Sequence, residues 1–259
     1  MLRKTLYSDR QNFSKMTILQ PFQRHLKLAG CLNLREVGGY KTTEGKQIKW
    51  RTLLRSDSLH RLSASSQQRL IDYGVKTIID LRSSFELKEE YALSKRAEIE
   101  YFNLPLIEED ARNIEESIKD KTLLELNCFF LEEKSRAIKT ILETIATQQT
   151  PVIIHCAVGK DRTGIIIALL LAIADVGITT IAEDYYLSDD NLASLYAQLR
   201  SEAVREGYAH LLESPPQTMI DTFAYLDLHY GGINNYLENI NLDREISNRL
   251  RTMLIKEKQ

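Results

Sequence analysis

Residues 152–174 constrain the fold of this chain more than any other part of the sequence. The stretch begins with a β-branched run of strand length (VII) and ends with residues 164–174, which are apolar and carry no charge. A short apolar run followed by a longer one predicts a buried strand and then a buried helix. The connecting loop, residues 155–163 (HCAVGKDRT), must therefore lie at one edge of a sheet.

This loop contains the residue types that an anion-binding loop with a reactive thiol requires. Five residues separate Cys156 from Arg162, and the predicted helix starts directly afterwards. Backbone N–H groups of such a loop can face an anion at the positive end of the helix. The same surroundings favour a thiolate, and Arg162 offers a planar, permanently charged fork to two phosphate oxygens. We expect the phosphate group to be bound by Ala157, Val158, Gly159, Lys160, Asp161 and Arg162.

Three other features of the loop carry more specific predictions. Gly159 permits backbone angles that a side chain would forbid. Thr163 is placed to donate its hydroxyl to the thiolate, and His155 to orient the loop from behind. The alternative for Cys156 is inert packing, which is usual for a buried free cysteine. The setting of strand, loop and helix favours the phosphate loop over that alternative.

The remaining sequence predicts an α/β fold with three layers, α/β/α, around a central, mostly parallel sheet with helical insertions. Residues 1–24 are weakly patterned and predict an N-terminal arm, and residues 25–259 predict a single domain. In such sheets ligands bind beyond the carboxyl ends of the strands, which places Asp80 as well as Cys156 at the site. One or two short strands are predicted within 46–54, and further strands at 75–80, 99–104 and 152–155. Helices are predicted at 63–73, within 111–149, and at 179–188, 191–206, 217–230 and 242–257.

The loop sequence HCAVGKDRTG resembles that of the bacterial tyrosine/serine protein phosphatase family, within the cysteine-dependent phosphatase superfamily. This group also includes phosphoinositide phosphatases and is typified by the secreted mycobacterial phosphatase B. Four further segments are similar to the family's other blocks and come in the same order: 33–40 (NLREVGGY), 54–57 (LRSD), 74–82 (GVKTIIDLR) and 230–233 (YGGI). The resemblance implies a tyrosine phosphatase-like fold. It also implies hydrolysis of phosphate monoesters on phosphotyrosine, phosphoserine or phosphothreonine, or phosphoinositides.

The resemblance is weaker over residues 110–134 and 189–214. No family knowledge carries over to these two stretches. We expect them to set the depth of the pocket and therefore the choice of substrate.

The predicted reaction is a two-step displacement, in which Cys156 attacks phosphorus and water then releases phosphate from a phosphocysteine. A general acid must protonate the leaving oxygen. Asp161 and Asp80 are both candidates, and Asp161 is slightly favoured. The alternatives are that Asp161 only orients the loop through hydrogen bonds and that Asp80 pairs with Arg82 or Arg35.

Lys160 is predicted to influence substrate choice. Its ammonium could meet a second phosphate on an inositol ring, and lysine at this place resembles phosphoinositide phosphatases. The alternative is a solvated lysine at the rim of the loop. We expect Arg35 to be structural, and Tyr185 and Tyr186 to pack in the core rather than line the site.

Composition and charge limit the other functions that the chain can have. The formal net charge of −2 gives no reason to expect a nucleic-acid partner. Three cysteines in 259 residues do not resemble a disulfide framework and fit a reducing compartment. The first thirty residues lack the apolar core of a signal peptide, and the longest apolar run, 165–174, is shorter than the ~20 residues of a membrane span. We therefore predict a cytoplasmic protein without stable membrane insertion, and an export route without a cleavable signal stays open.

No cofactor is predicted, and no cluster of His, Cys, Asp or Glu has the spacing of a metal site. The expected partner is a phosphorylated protein or phosphoinositide, and the oligomeric state is left open. Two other functions also stay open: a phosphate-binding module that is catalytically weak, and a sulfurtransferase-like enzyme with a reactive cysteine.

Overall fold

The computed structural model describes residues 24–87, 92–108 and 120–256. The predicted arm lies outside this part of the chain, apart from Arg24. Within it the strands are β1 (Arg35–Glu36), β2 (Gln47–Ile48), β3 (Leu53–Ser56), β4 (Thr77–Asp80), β5 (Glu100–Asn103), β6 (Val152–His155) and β7 (Ile255–Lys256). The α-helices are α1 (Ala64–Tyr73), α2 (Leu123–Glu133), α3 (Ser135–Thr147), α4 (Asp161–Ile173), α5 (Ile178–Glu206), α6 (Pro216–Tyr230), α7 (Ile233–Asn239) and α8 (Arg244–Leu254).

The described residues form one mixed sheet in the order β1-β3-β6-β4-β5. The strands β3, β6, β4 and β5 run parallel to one another, and β1 is antiparallel to β3. Both Ser56 and Asp80 lie opposite His155, so the carboxyl ends of the three central strands are level. Residues that follow these strands therefore meet at one edge of the sheet. A separate antiparallel pair, β2 and β7, joins residues 47–48 to residues 255–256.

Helices cover both faces of the sheet, as predicted, but the two outer layers are unequal. Leu54, Ile78 and Ile153 point to the face that α1 covers and form a smaller core there. Val152 and Ile154 point to the opposite face, where side chains of all the helices from α2 to α8 form the larger core. The three-layer α/β/α prediction is thus confirmed, with most helices on one side.

Local signals explain the first helix. The Ser63 side chain accepts a hydrogen bond from the backbone N–H of Ser66 at 3.2 Å, which satisfies an otherwise unpaired N–H at the start of α1. Gly74 ends the helix in the left-handed conformation with φ 97°, which glycine adopts without steric cost. Both boundaries agree with the sequence-based prediction.

The helix α4, which follows the loop of residues 155–163, is buried on nearly all sides. Ten of the 13 residues of α4 are buried, which explains why residues 164–174 lack charge and helical periodicity. A helix that is apolar all round belongs in the interior of a protein. The loop before it is therefore attached to the centre of the larger core.

Three predictions about the helices were wrong. The predicted break between residues 188 and 191 does not exist, because α5 continues from Ile178 to Glu206. Asp189 and Asp190 disfavour a helix only weakly, since they lack the backbone constraint of glycine or proline. The short helix α7 was missed, and Tyr186 is 43% exposed instead of packed in the core.

In the ranges that the structure describes, no helix combines the length and the apolar character needed to cross a bilayer. The cytoplasmic location stays a prediction.

Candidate active site

The backbone of the loop turns around the Cys156 thiol. Cys156 lies directly after β6 and is buried, and its Sγ accepts a hydrogen bond from the backbone N–H of Gly159 at 3.3 Å. Gly159 has φ +71°, and a Cβ at this position would lie 2.2 Å from the carbonyl oxygen of Ser56. Only glycine therefore lets the loop pass this close to the end of β3.

The outer side of the loop is held by two side chains from the N-terminal part of the chain. Arg55 donates from Nη2 to the carbonyl oxygens of Gly159 at 2.7 Å and Lys160 at 3.1 Å. Asn33 donates from Nδ2 to the carbonyl oxygen of Val158 at 2.9 Å. Because these carbonyls are held outward, the loop N–H groups can turn toward an anion on the inner side.

Buried charges lie behind the loop. Asp184 on α5 pairs with Arg55 at 2.6 Å and with Arg35 at 3.4 Å, and it accepts a hydrogen bond from Tyr40 at 2.9 Å. Burial raises the pKa of Asp184, but the two arginines outweigh it and lower this pKa to about 2. Burial and repulsion from Arg55 lower the pKa of Arg35 to about 10. Two guanidinium groups against one carboxylate leave one formal positive charge, which favours an anion in the loop.

Arg162 is held by a partner that lies far away in the sequence. Its Nη1 and Nη2 atoms donate to the two carboxylate oxygens of Glu86 at 2.5 and 2.8 Å. Burial raises the pKa of Glu86, but the hydrogen bonds and charge of Arg162 outweigh it and lower this pKa overall. A guanidinium has five N–H donors, so three remain for a phosphate after this bidentate contact. Glu86 thereby fixes the plane of the Arg162 fork.

Lys160 is buried, and its ammonium binds protein groups. Its Nζ donates to the carbonyl oxygens of Leu211 and, at 2.6 Å, Glu213, and it lies 3.5 Å from Asp161 Oδ1. The alternative of a solvated lysine at the rim is therefore wrong. These contacts tie the segment around Ala209–Leu212 to the loop. The contact of Lys160 with a second substrate phosphate stays a prediction, and these bonds disfavour it.

Asp161 is the first residue of α4 and lies at the mouth of the loop. Its side chain is 22% exposed, and its Oδ1 accepts a hydrogen bond from the hydroxyl of Tyr185 at 2.9 Å. This carboxyl thus combines a fixed position with access from solvent.

Asp80 is fully buried and has a different set of partners. It accepts hydrogen bonds from Arg82 Nη2 at 2.7 Å and from the hydroxyl of Tyr101 at 3.0 Å. Its Oδ2 also lies 3.5 Å from Nε2 of His155, whose Nδ1 is 3.2 Å from the carbonyl oxygen of Cys156. Burial raises the pKa of Asp80, but the contacts with His155 and Arg82 outweigh it and lower this pKa. The structure shows the pairing of Asp80 with Arg82, which was the alternative to an acid role. His155 lies behind the loop.

The Thr163 hydroxyl does not make the predicted contact with the thiol. Thr163 is buried, and within the described ranges its Oγ1 has no hydrogen-bond partner. The remaining loop residues form the rim, where Ala157 is exposed and Val158 is half-buried.

A family model described as "Tyrosine phosphatase family" matches residues 26–256. The chain belongs to the tyrosine phosphatase family. The triple specificity protein phosphatase PtpB of Mycobacterium tuberculosis is 24% identical over an alignment 278 positions long, gaps included, and the alignment spans 88% of this chain and 98% of that protein. A tyrosine-protein phosphatase of Nostoc commune is 27% identical over 218 residues, 78% of this chain and 73% of that protein. Among solved structures, the core catalytic domain of the PP-IP phosphatase SIW14 from S. cerevisiae is similar with a TM-score of 0.36 and 17% identity, covering 62% of this chain and 93% of that one.

As a member of the tyrosine phosphatase family, the protein is a phosphatase and acts on phosphorylated substrates. The prediction of a phosphatase from the loop motif is confirmed. Among the residues that the structure describes, no group of three or more His, Cys, Asp or Glu side chains is arranged to hold a metal ion.

Glu86 was not predicted as a site residue. Tyr185 was predicted to pack in the core, with no role for its hydroxyl. Glu86 reaches Arg162 across 76 positions. The local sequence, Ser83 to Glu86, marks it only as part of a helix-capping pattern, in which its carboxylate accepts a hydrogen bond from the Ser83 N–H. Tyr185 is indeed buried, but its hydrogen bond to Asp161 spans 24 positions. The hydroxyl of a buried tyrosine usually makes a hydrogen bond. The predicted burial of Tyr185 was therefore the one indication that its hydroxyl has a hydrogen-bond partner.

Proposed function

We propose that residues 25–259 act as one phosphatase domain that hydrolyses phosphotyrosine through a phosphocysteine on Cys156. Phosphoserine, phosphothreonine and phosphoinositides are proposed as further substrates. One observation carries the proposal: the Cys156 Sγ accepts a loop N–H at the start of a buried helix, with Arg162 in the first turn of that helix. This is the arrangement that stabilises both a thiolate and a phosphate.

In the first step the Cys156 thiolate forms a bond to phosphorus while the bond to the leaving oxygen breaks. The loop N–H groups and Arg162 stabilise the negative charge on the phosphate oxygens. Asp161 donates a proton to the leaving oxygen. In the second step Asp161 accepts a proton from water as that water attacks phosphorus and the thiolate departs.

Solvent access and hydrogen-bond partners favour Asp161 over Asp80 as the general acid. The Asp161 side chain is partly exposed in the loop, whereas Asp80 has no exposed surface and holds Arg82 through several hydrogen bonds. The contacts with His155 and Arg82 that lower the pKa of Asp80 also favour its ionised form at neutral pH, so Asp80 lacks the proton that a general acid must donate. We therefore assign Asp80 the task of holding Arg82 and His155.

Phosphotyrosine is favoured as the main substrate by an aromatic residue near the site. Phe85 directly precedes the Arg162 partner Glu86 and is 53% exposed. An exposed ring at this place can pack against the phenyl ring of a phosphotyrosine. The breadth of substrates is supported by the name of the triple specificity relative. Lys160 is not assigned a contact with a second inositide phosphate, because its ammonium donates hydrogen bonds to the carbonyl oxygens of Leu211 and Glu213.

The two other functions have weaker support. A module that binds phosphate without turnover needs a lost nucleophile, arginine or acid, and the chain keeps Cys156, Arg162 and Asp161. A sulfurtransferase needs no fork of donors for phosphate oxygens, yet Glu86 holds such a fork in place.

The decisive experiment is phosphate release from para-nitrophenyl phosphate by the wild type and by the Cys156→Ser variant. We expect the variant to lose activity completely. The matched control is Cys128→Ser, since Cys128 is a free, half-buried thiol on α2, and it should leave the rate unchanged. Activity that survives in Cys156→Ser, or formation of a persulfide on Cys156 with a sulfur donor, would overturn the proposal.

The same assay with phosphotyrosine peptides, phosphoserine peptides and phosphoinositides measures substrate breadth. We expect the highest kcat/KM on phosphotyrosine. A higher kcat/KM on phosphoserine would contradict the role of Phe85.

The pH dependence of kcat/KM in Asp161→Asn and Asp80→Asn tests which of the two residues is the general acid. Only the variant of the true acid should lose the basic limb of the kcat/KM profile. We expect this loss in Asp161→Asn. Its appearance in Asp80→Asn alone would reverse the assignment.

A further inference from the structure

Tyr185 reaches the phosphate loop from the middle of the protein. It lies on α5, is 2% exposed, and its ring packs against Gly164 of α4. A Cβ at Gly164 would lie only 3.1 Å from Cδ2 of this ring. The close packing of α4 and α5 fixes the ring and therefore the place of the hydroxyl.

The Tyr185 hydroxyl contacts one oxygen of the Asp161 carboxylate and leaves the other available. It donates to Oδ1 at 2.9 Å, and the Lys160 ammonium lies 3.5 Å from the same oxygen. Within the described ranges, no hydrogen bond to Oδ2 of Asp161 is present. The two oxygens are thus unlike: one is held by the protein, and the other can carry a proton to or from substrate.

The hydroxyl of Tyr185 stays a donor over the range in which such an enzyme works. Burial and the negative charge of Asp161 raise the pKa of Tyr185 well above its usual value. The hydroxyl therefore keeps its proton when Asp161 is ionised. A neutral donor that cannot lose its proton is suited to orient a carboxylate without competing with it as an acid.

We propose that Tyr185 is a positioning residue for the general acid, which holds Asp161 Oδ1 so that Oδ2 transfers the proton. In the first step the proton leaves Oδ2 for the leaving oxygen as the bond from that oxygen to phosphorus breaks. In the second step Oδ2 takes a proton from the attacking water while the bond from phosphorus to sulfur breaks. The inference rests on the proposed function of Asp161.

The Tyr185→Phe variant removes the hydroxyl and keeps the ring that packs against Gly164. We expect kcat to fall about tenfold on aryl phosphates with basic leaving groups, which corresponds to about 1.4 kcal/mol. The loss should shrink as the leaving group becomes more acidic, because such groups need less protonation. The basic limb of kcat/KM should move to higher pH, since a hydrogen bond to the ionised carboxylate favours that form and is now missing.

The neighbouring Tyr186 supplies the matched control. It is on the same helix and 43% exposed, so Tyr186→Phe should change neither the rate nor the pH profile. Rates are normalised to active sites titrated by the phosphocysteine burst, so that a partly folded variant still reports on chemistry.

The outcomes separate this inference from the proposed function. If Asp161→Asn loses the basic limb while Tyr185→Phe keeps the wild-type profile and the wild-type leaving-group dependence, the positioning role is wrong. If Asp161→Asn keeps the basic limb, the assignment of the acid fails and the present inference fails with it. If Tyr185→Phe changes only KM, to the same extent for all leaving groups, its role is in packing and the inference is overturned.

Discussion

Replacing Asp184 by asparagine tests the buried charges that lie behind the loop of residues 155–163. The change keeps the size of the side chain and removes the charge that two arginines share. Arg35, Arg55 and Asp184 have side chains that are about 1% exposed, so water cannot replace the lost carboxylate. Removing one partner of a buried ion pair costs about 3–5 kcal/mol. For a chain of this size we expect Tm to fall by about 10 °C.

The pH dependence of stability gives a second measure of the same interaction. The pKa of Asp184 falls from 3.8 to about 2 on folding, a difference that corresponds to about 2.4 kcal/mol. Because the folded pKa is the lower one, this contribution is present above about pH 4 and is lost as pH falls toward 2. The wild type should lose this stability between pH 4 and pH 2, whereas Asp184→Asn should show a flatter profile there.

Urea unfolding followed by circular dichroism measures both effects. Asp190→Asn is the control, because Asp190 is an exposed carboxylate on the same helix. The double variant Asp184→Asn/Arg35→Gln should recover about 1 kcal/mol or more relative to the single variant, since it removes one of two repelling charges. A change in the free energy of unfolding below about 1 kcal/mol in Asp184→Asn would refute the reasoning.

Three further predictions concern the surroundings of the loop. Glu86→Gln should lower kcat/KM for para-nitrophenyl phosphate about 10- to 100-fold, because Arg162 loses a charge-assisted bidentate partner; a change within twofold would show that the fork orients itself. Lys160→Ala should reduce kcat/KM equally on a phosphotyrosine peptide and on a phosphoinositide. A loss confined to the phosphoinositide would instead show that Lys160 contacts this substrate directly. Ser63→Ala should lower the free energy of unfolding by about 1 kcal/mol through the lost helix cap while kcat/KM stays constant, and an unchanged urea midpoint would contradict it.

Features that depend on neighbours in the sequence could be predicted. The strand before Cys156, the buried helix after it and the helix between Ser63 and Gly74 all follow from local apolar patterns and caps. The order of strands and helices was enough to predict the layers. It did not predict that one face carries most of the helices, because apolar spacing shows that a helix is buried but not where.

In the candidate site, too, residues of one local motif could be predicted, and residues that act through long-range contacts could not. Cys156 and Arg162 belong to one loop, so a motif reveals them together. Glu86 and Asp184 act through contacts that join distant segments. The burial of Lys160 depends on a segment about 50 residues later, where the sequence has no recognisable pattern. The position of Lys160 in the loop motif was known from the sequence, but its burial and its contacts depend on long-range packing and could not be predicted.

The burial of α4 has a consequence for how such an enzyme diversifies. A helix surrounded by core on nearly all sides cannot shift without disturbing many neighbours at once, so Cys156 and Arg162 are attached to a part of the protein that accepts little change. The segment that Lys160 anchors, Ala209–Leu212, has no fully buried residue, and surface segments generally accept substitutions more readily than a core helix does. Selection can then alter which phosphorylated molecule is accepted by replacing rim segments, while the reaction itself is inherited intact.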